Sequence, residues 1–297
     1  MGEHTGIAWT SRTWNPWQGC HKVSPGCKNC YMYSEKIRYG QRPDVVVRSK
    51  PPTFNAPLKW TEPALVFTCS WSDWFVEEAD PWRDEAWEIV RRTPHLTYQI
   101  LTKRPERIDA CLPGGWPYPN VWLGISAETQ RELDARLPLL LEVPAAVRFL
   151  SLEPLLAPIT LQPMIERWAF VAAGAVQSGA ALPPRVGWVI VGGESGAKAR
   201  PCDVAWIRSI ARQCRAAGLA CFVKQLGAHP FVGGSLPGPW VTVSHDRKRG
   251  KVDGVMLDDG TNRDLATLPI IHLRDPKGGD PAEWPEDLRV REFPRAG

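Results

Sequence analysis

From residue 64 onward the chain alternates short apolar runs with segments of helical period. The runs are ALVFTCS (64–70), HLTYQIL (95–101), NVWLGIS (120–126), VRFLSLE (147–153), GWVIVGG (187–193) and LACFVKQ (219–225). Each has strand length and is rich in β-branched and aromatic residues, which predicts a strand. Between them, 82–92, 105–111, 129–141, part of 155–170 and 203–217 predict helices. A strand near Ile7–Thr10 and a helix running from Cys30 to about Tyr39 open the series.

Strands that are apolar along their whole length are buried on both faces. Six or seven such β/α units therefore predict an α/β protein with a parallel sheet covered by helices and joined by right-handed crossovers. The first turn carries no dinucleotide fingerprint, which favours a parallel β/α barrel of TIM type, partial or complete, over an open doubly wound sheet. In both forms ligands gather beyond the carboxyl ends of the strands. Residues 226–297 differ in character, being rich in Gly, Pro and Asp, with a hairpin expected near Asp253–Gly260. The expected organisation is a barrel over 1–225 with an N-terminal cysteine loop, and a small irregular C-terminal appendage over 226–297 packed on it.

The predicted carboxyl ends carry Ser70 and Asp73; Thr102, Lys103 and Arg104; Ser126 and Glu128; Ser151 and Glu153; Gly193, Glu194 and Ser195; Lys224 and Gln225. A single Ser and Glu at such a place can simply cap the next helix. Three such pairs, together with Lys103 and Lys224, predict a polar pocket on one rim. The GGESG at 192–196 lacks P-loop spacing and the Lys-Ser/Thr that contacts nucleotide and magnesium, so its glycines are read as a tight backbone bend.

The 36 basic and 32 acidic residues are dispersed and give a net charge of +4, which permits an anionic partner without requiring one. Dense basic patches occur only in LTKRPER (101–107) and DRKRGK (246–251). The N-terminus has no signal pattern and no run of about 18 apolar residues occurs, so a soluble cytoplasmic protein with no membrane partner is expected. Thiols persist in such a compartment, and clustered cysteines there read as metal ligands. Most of the fifteen tryptophans are expected to fill core and pocket walls.

Three of the eight cysteines, Cys20, Cys27 and Cys30, fall within WNPWQGCHKVSPGCKNCY at 14–31. The two-residue gap between Cys27 and Cys30 suits a turn leading into a helix, and the SPG at 24–26 can fold Cys20 back toward the pair. Three soft thiolates restrict the metal to zinc, copper or an iron–sulfur cluster. A structural zinc takes four protein ligands, so His21 or a distant cysteine would have to join, and His21, adjacent to Cys20, is awkwardly placed. A [4Fe-4S] cluster on three cysteines leaves one iron open to a substrate or cofactor. The alternatives are a zinc-stabilised binding protein without redox chemistry, and a hydrolase using rim carboxylates with divalent metals. Cys69, Cys111, Cys202, Cys214 and Cys221 read as buried small hydrophobes, with Cys69 and Cys202 nearest the rim.

A three-cysteine loop after a first short strand, followed by repeated β/α units, resembles the radical S-adenosylmethionine (radical SAM) enzymes. That resemblance implies a [4Fe-4S] cluster on Cys20, Cys27 and Cys30, with the amino and carboxylate groups of S-adenosylmethionine on its open iron. It also implies reductive cleavage of the sulfonium to methionine and a 5'-deoxyadenosyl radical that takes hydrogen from the substrate. The ordered blocks TGIAWTSRTWNPWQGC, LTKRP, GISAE, SLEPLL, VGGESG, FVKQLG and GGDPAEWPEDLRVREFP resemble more closely a family of phage and prophage proteins of unassigned activity, which carry a three-cysteine motif and are radical-SAM-like. The implied activity is a phage-associated enzyme acting on a nucleic acid or nucleotide, with room for a protein partner that completes the site. In this reading Ser126, Glu128, Ser151 and Glu153 line the cofactor pocket. Lys103, Lys224 and Glu194 are the catalytic candidates, and Arg104 and Gln225 join the two lysines in facing the substrate. The chain departs from the superfamily's Cys-x3-Cys-x2-Cys loop: six residues separate Cys20 from Cys27, and Asn29 stands where an aromatic residue is usual. The superfamily's glycine-rich contact follows the second strand, whereas GGE here follows a late one.

Overall fold

The structure is a computed structural model and describes residues 5–232, 240–246, 251–257, 262–264 and 271–294. Its strands are β1 (Arg12–Trp14), β2 (Trp17–Gln18), β3 (Val47–Arg48), β4 (Ala64–Thr68), β5 (Leu96–Thr102), β6 (Val121–Ser126), β7 (Val147–Leu152), β8 (Trp188–Gly192), β9 (Cys202–Asp203), β10 (Ala220–Gln225), β11 (Pro230–Phe231), β12 (Trp240–Asp246), β13 (Lys251–Leu257) and β14 (Asn262–Asp264). The α-helices are α1 (Tyr31–Arg38), α2 (Pro51–Phe54), α3 (Asp80–Arg92), α4 (Gln130–Glu142), α5 (Gln162–Ser178) and α6 (Val204–Ala216).

Each of the six apolar runs forms a strand, and with β1 they make a seven-stranded parallel sheet of order β1-β4-β5-β6-β7-β8-β10. All five residues of β8 are buried, as expected of a strand covered on both faces. The fold is α/β, a partial parallel β/α barrel whose sheet ends at β1 and β10. No helix among the described residues is long and apolar enough to cross a membrane.

Three elements differ from expectation, each for a local reason. The first strand is Arg12–Trp14 rather than Ile7–Thr10, where Thr10 N–H instead closes a turn on the Ile7 carbonyl. The apolar character there serves packing: Trp9 stacks edge-on against Phe67 at 4.6 Å. The segment 105–111 forms two 3-10 turns, Pro105–Arg107 and Asp109–Cys111, since seven residues before Pro113 give too few hydrogen bonds to offset helix nucleation. α5 starts at Gln162, with Pro163 in its first turn, and ends at Gly179 in the left-handed region at φ 70°.

The chain divides into two compact units, Met1–Ser126 with Ala135–Leu150, and Ala127–Asp134 with Ser151–Ala296. The first is centred on a run of buried indoles. Trp74 lies 5.0 Å from Trp17, 5.8 Å from Trp14 and 4.9 Å from Trp87, ring centre to ring centre. Three of these donate to backbone carbonyls: Trp14 to Phe54, Trp17 to Asp73 and Trp87 to Cys111. Indoles thus fill the core and also tie loops to it.

In the second unit Trp188 of β8 packs on Phe222 and Phe293. Asp203 caps α6, its side chain accepting from Ala205 N–H at 2.8 Å. The expected 226–297 appendage falls within this unit. Its last stretch hydrogen-bonds to β10, Val223 N–H to the Val290 carbonyl and Glu292 N–H to the Cys221 carbonyl, which covers an edge strand. β12, β13 and β14 form a separate antiparallel sheet. Of the hairpin expected near Asp253–Gly260, residues 258–260 lie outside the described residues, as do 247–250 of the DRKRGK patch.

Candidate metal centre and rim

The cysteine loop is anchored at both ends. Gly19, at φ 99°, donates its N–H to the Trp71 carbonyl, and Cys20 N–H reaches the Pro43 carbonyl at 3.0 Å. Only glycine suits this place, because a Cβ would stand 2.2 Å from the Val45 carbonyl oxygen. Ser24, Pro25 and Gly26 make the expected turn, with Cys27 N–H bonded to the Ser24 carbonyl. Cys30 then occupies the N-cap position of α1.

All three thiols are half-buried, and each acts electrostatically on the phenol of Tyr33, whose hydroxyl donates to the Cys20 carbonyl at 2.5 Å. Burial, with a contribution from the nearby Asp73 carboxylate, pushes the Cys20 thiol up to about 12. Burial also raises Cys30. Burial thus works against the thiolate form at both Cys20 and Cys30. Among the described residues, no three His, Cys, Asp or Glu side chains stand as a ready-made metal cage. The three sulfurs share one loop, Cys20 to Cys30.

Arg104 stands behind the loop. Its guanidinium donates to the His21 carbonyl at 2.9 Å and to Cys20 Sγ at 3.6 Å, and lies 3.3 Å from the Asp73 carboxylate. Both side chains are buried, at 9% and 7% exposure. Asp73 is itself a hub, accepting from the Thr102 hydroxyl at 2.7 Å and from the N–H groups of Phe75 and Lys103 at 2.9 Å. The carboxylate thus joins the segment after β4 to the end of β5 and, through Arg104, to the first cysteine. Lys103 contributes a positive field at Cys30. His21 turns to Glu78, Nε2 to Oε1 at 2.5 Å.

Cys69 is a fourth sulfur within electrostatic reach of Cys20. It is buried at 3% exposure and holds the left-handed conformation at φ 54°, unusual for a residue with a side chain. Burial raises its thiol. Asn15 completes this corner, its side chain paired with the Ser70 hydroxyl and Trp71 N–H. Sequence reasoning placed Asp73 on the rim without its hub role and passed over Asn15 and Tyr33. The available signal was a polar residue between the tryptophans of WNPW.

The remaining predicted residues divide between the units. Ser126, in the first, is buried, and its carbonyl accepts from Arg136. The second unit holds Glu128, Ser151, Glu153, Glu194, Lys224 and Gln225. Lys224 lies 3.2 Å from Glu153 Oε1, and the Ser151 hydroxyl reaches Glu153 Oε2 at 3.4 Å. Gly192 packs beneath: a Cβ there would stand 2.8 Å from Glu153 Oε1. Gln225 donates to the Gly193 carbonyl at 2.7 Å. Glu194 is committed to Arg200, accepting from its Nε, Nη2 and backbone N–H at 2.6–2.8 Å with both side chains buried. Glu128 is fully buried, and its carbonyl accepts from Leu156 N–H.

No curated protein and no solved structure matches the chain. A family model described as a protein of unknown function, DUF5131, matches residues 4–265, a span that takes in the cysteine loop and all seven strands of the parallel sheet. The chain belongs to the DUF5131 family.

Proposed function

We propose that the chain is an iron–sulfur enzyme of radical SAM type that acts on a nucleotide or nucleic acid. The observation that carries this reading is the set of three half-buried thiols on one short loop, with the Arg104 guanidinium 3.6 Å from Cys20 Sγ. Cys20, Cys27 and Cys30 are the residues to hold a [4Fe-4S] cluster, and their chemistry fits it. When bound, such a cluster supplies one electron to the sulfonium of S-adenosylmethionine. Arg104 and Lys103 offset the negative charge that three thiolates bring into a partly desolvated loop. The hydrogen bond from the buried Trp17 indole to the Asp73 carbonyl holds the backbone behind the loop. The Lys224–Glu153 pair offers a cation and a carboxylate at the carboxyl ends of β10 and β7, suited to orienting a polar ligand.

A second reading is zinc: a closed zinc site takes four ligands and leaves no open position, so Cys69 would have to join the three loop sulfurs. Metal analysis after anaerobic purification separates the two. The first reading expects about four irons per chain and broad visible absorption, with 5'-deoxyadenosine formed from S-adenosylmethionine after reduction. Cys27→Ala should lose the iron, and Cys69→Ser should keep it. One zinc per chain, lost in Cys69→Ser, would establish the second reading and sink the first.

A further inference from the structure

A cavity of about 640 Å³ lies in the first unit, lined by residues of α1, α2, β2, β3 and the loop before β3. That volume falls within the range of small-ligand sites, about 300–1,000 Å³. Every charged side chain lining it is basic: Lys36, Arg42, Arg48 and Lys50. The two arginines already have partners, Arg42 in Asp44 at 2.5 Å and Arg48 in Glu85 at 2.6 Å.

Lys36 stands apart. The residue is 3% exposed, and its ammonium makes no hydrogen bond or ion pair among the described residues. Burial is the sole influence on its proton affinity, which it lowers. The position is one helical turn after Met32, the other buried residue of α1, so it lies on the helix face that packing would fill with an apolar side chain. The aliphatic stem is buried, while the ammonium keeps some accessible surface and so costs less than a fully buried charge. Here it lines a cavity whose other charges share its sign, and an anion entering that cavity supplies the missing partner.

We propose that this cavity binds the phosphate of a nucleotide unit, with Lys36 as the buried contact and Lys50 at the exposed side. The volume exceeds what a lone phosphate needs, and Gln18 and Gln41 add amide groups able to pair with a polar body attached to it. The choice of nucleotide rests on the substrate class proposed above, whereas the anion site rests on the cavity itself. β2 leads into Cys20 and α1 follows Cys30, so the cavity adjoins both arms of the cysteine loop.

The test is equilibrium binding to the full-length protein, using inorganic phosphate, AMP and a fluorescein-labelled single-stranded DNA dodecamer over a range of salt concentrations. Wild type, Lys36→Met and Lys50→Met are compared, with melting temperatures recorded for each. Lys36→Met should weaken binding of AMP or the dodecamer about tenfold, the scale of one hydrogen bond to a charged group. It should leave the melting temperature at or above that of wild type, because the apolar stem that fills the site is retained. A residue kept for packing alone would leave the binding unchanged. For the dodecamer, the slope of log affinity on log salt should fall by about 0.7 for each phosphate that a variant no longer neutralises. Tighter binding of the dodecamer than of AMP assigns the site to a strand, and equal binding assigns it to a free nucleotide. Should Lys36→Met fail to fold, Lys50→Met reads the same cavity. The proposal is overturned if no probe binds wild type, if phosphate binds as well as AMP and the dodecamer, or if the variants that fold bind as wild type does. Binding is measured without cofactor cleavage, so absent 5'-deoxyadenosine with intact, Lys36-dependent binding refutes the radical SAM reading alone.

Discussion

Replacing Arg104 by Met leaves the Asp73 side chain, 7% exposed, without its cation. Breaking a buried ion pair by removing one partner costs about 3–5 kcal/mol. The lower end applies here, because the Thr102 hydroxyl and the N–H groups of Phe75 and Lys103 continue to hold the carboxylate. A loss of about 3 kcal/mol corresponds to a fall of about 6–12 °C in melting temperature for a domain of 150–250 residues. Asp73→Asn should cost about 2 kcal/mol, since it keeps an acceptor oxygen while leaving the guanidinium buried with the His21 carbonyl and Cys20 Sγ. The double variant removes both charges and should be more stable than the sum of the single losses predicts, by about 1–2 kcal/mol. Urea unfolding followed by tryptophan fluorescence measures all three. Trp17, whose indole donates to the Asp73 carbonyl at 3.0 Å, places a reporter beside the pair. Losses that add to within about 0.5 kcal/mol would show that the two charges do not act as a pair, and the account of how the first cysteine is held would fall with them.

Other perturbations probe the same architecture. Gly19→Ala forces a left-handed residue against the Val45 backbone and should cost more than about 1–2 kcal/mol, the penalty of that conformation alone; limited proteolysis should cut 41–50 faster, and an unchanged cleavage rate would be contrary evidence. Asp80 accepts from Arg83 and Arg107; although burial works against its charge, these hydrogen bonds hold its carboxyl below the usual range. A depressed folded value stabilises above the unfolded value near pH 4 and loses that contribution as pH falls through the folded one, so Asp80→Asn should flatten the acid limb of the stability curve below about pH 4. Glu194→Gln leaves the buried Arg200 guanidinium under-compensated and should cost about 3 kcal/mol in urea unfolding; wild-type stability would argue against a structural role for the pair.

How far the chain could be read follows from where burial is periodic. The six strands from β4 onward were legible because a parallel sheet covered on both faces writes itself as continuous apolar runs, and β8, buried at every position, is the clearest. Before residue 64 no such pattern exists: β1, β2 and β3 have two or three residues each, too few to show any period. Order there comes from indoles donating to distant carbonyls and from Asp73 joining segments about thirty residues apart, links that depend on the folded chain. The three cysteines stood out by spacing alone, since a cluster of thiols is rare enough to be noticed without geometry. Lys36 did not, because a lysine on a short helix reads as a solvated position, and only its register with Met32 and the absence of a partner among the described residues set it apart. Local pattern and global fold agree along the sheet and disagree at the cysteine loop and the basic cavity, where polar groups occupy places that packing alone would give to apolar ones. Conflict of that kind is expected where a chain gives up stability for binding, which is the physical ground for placing the candidate sites in this corner of the first unit.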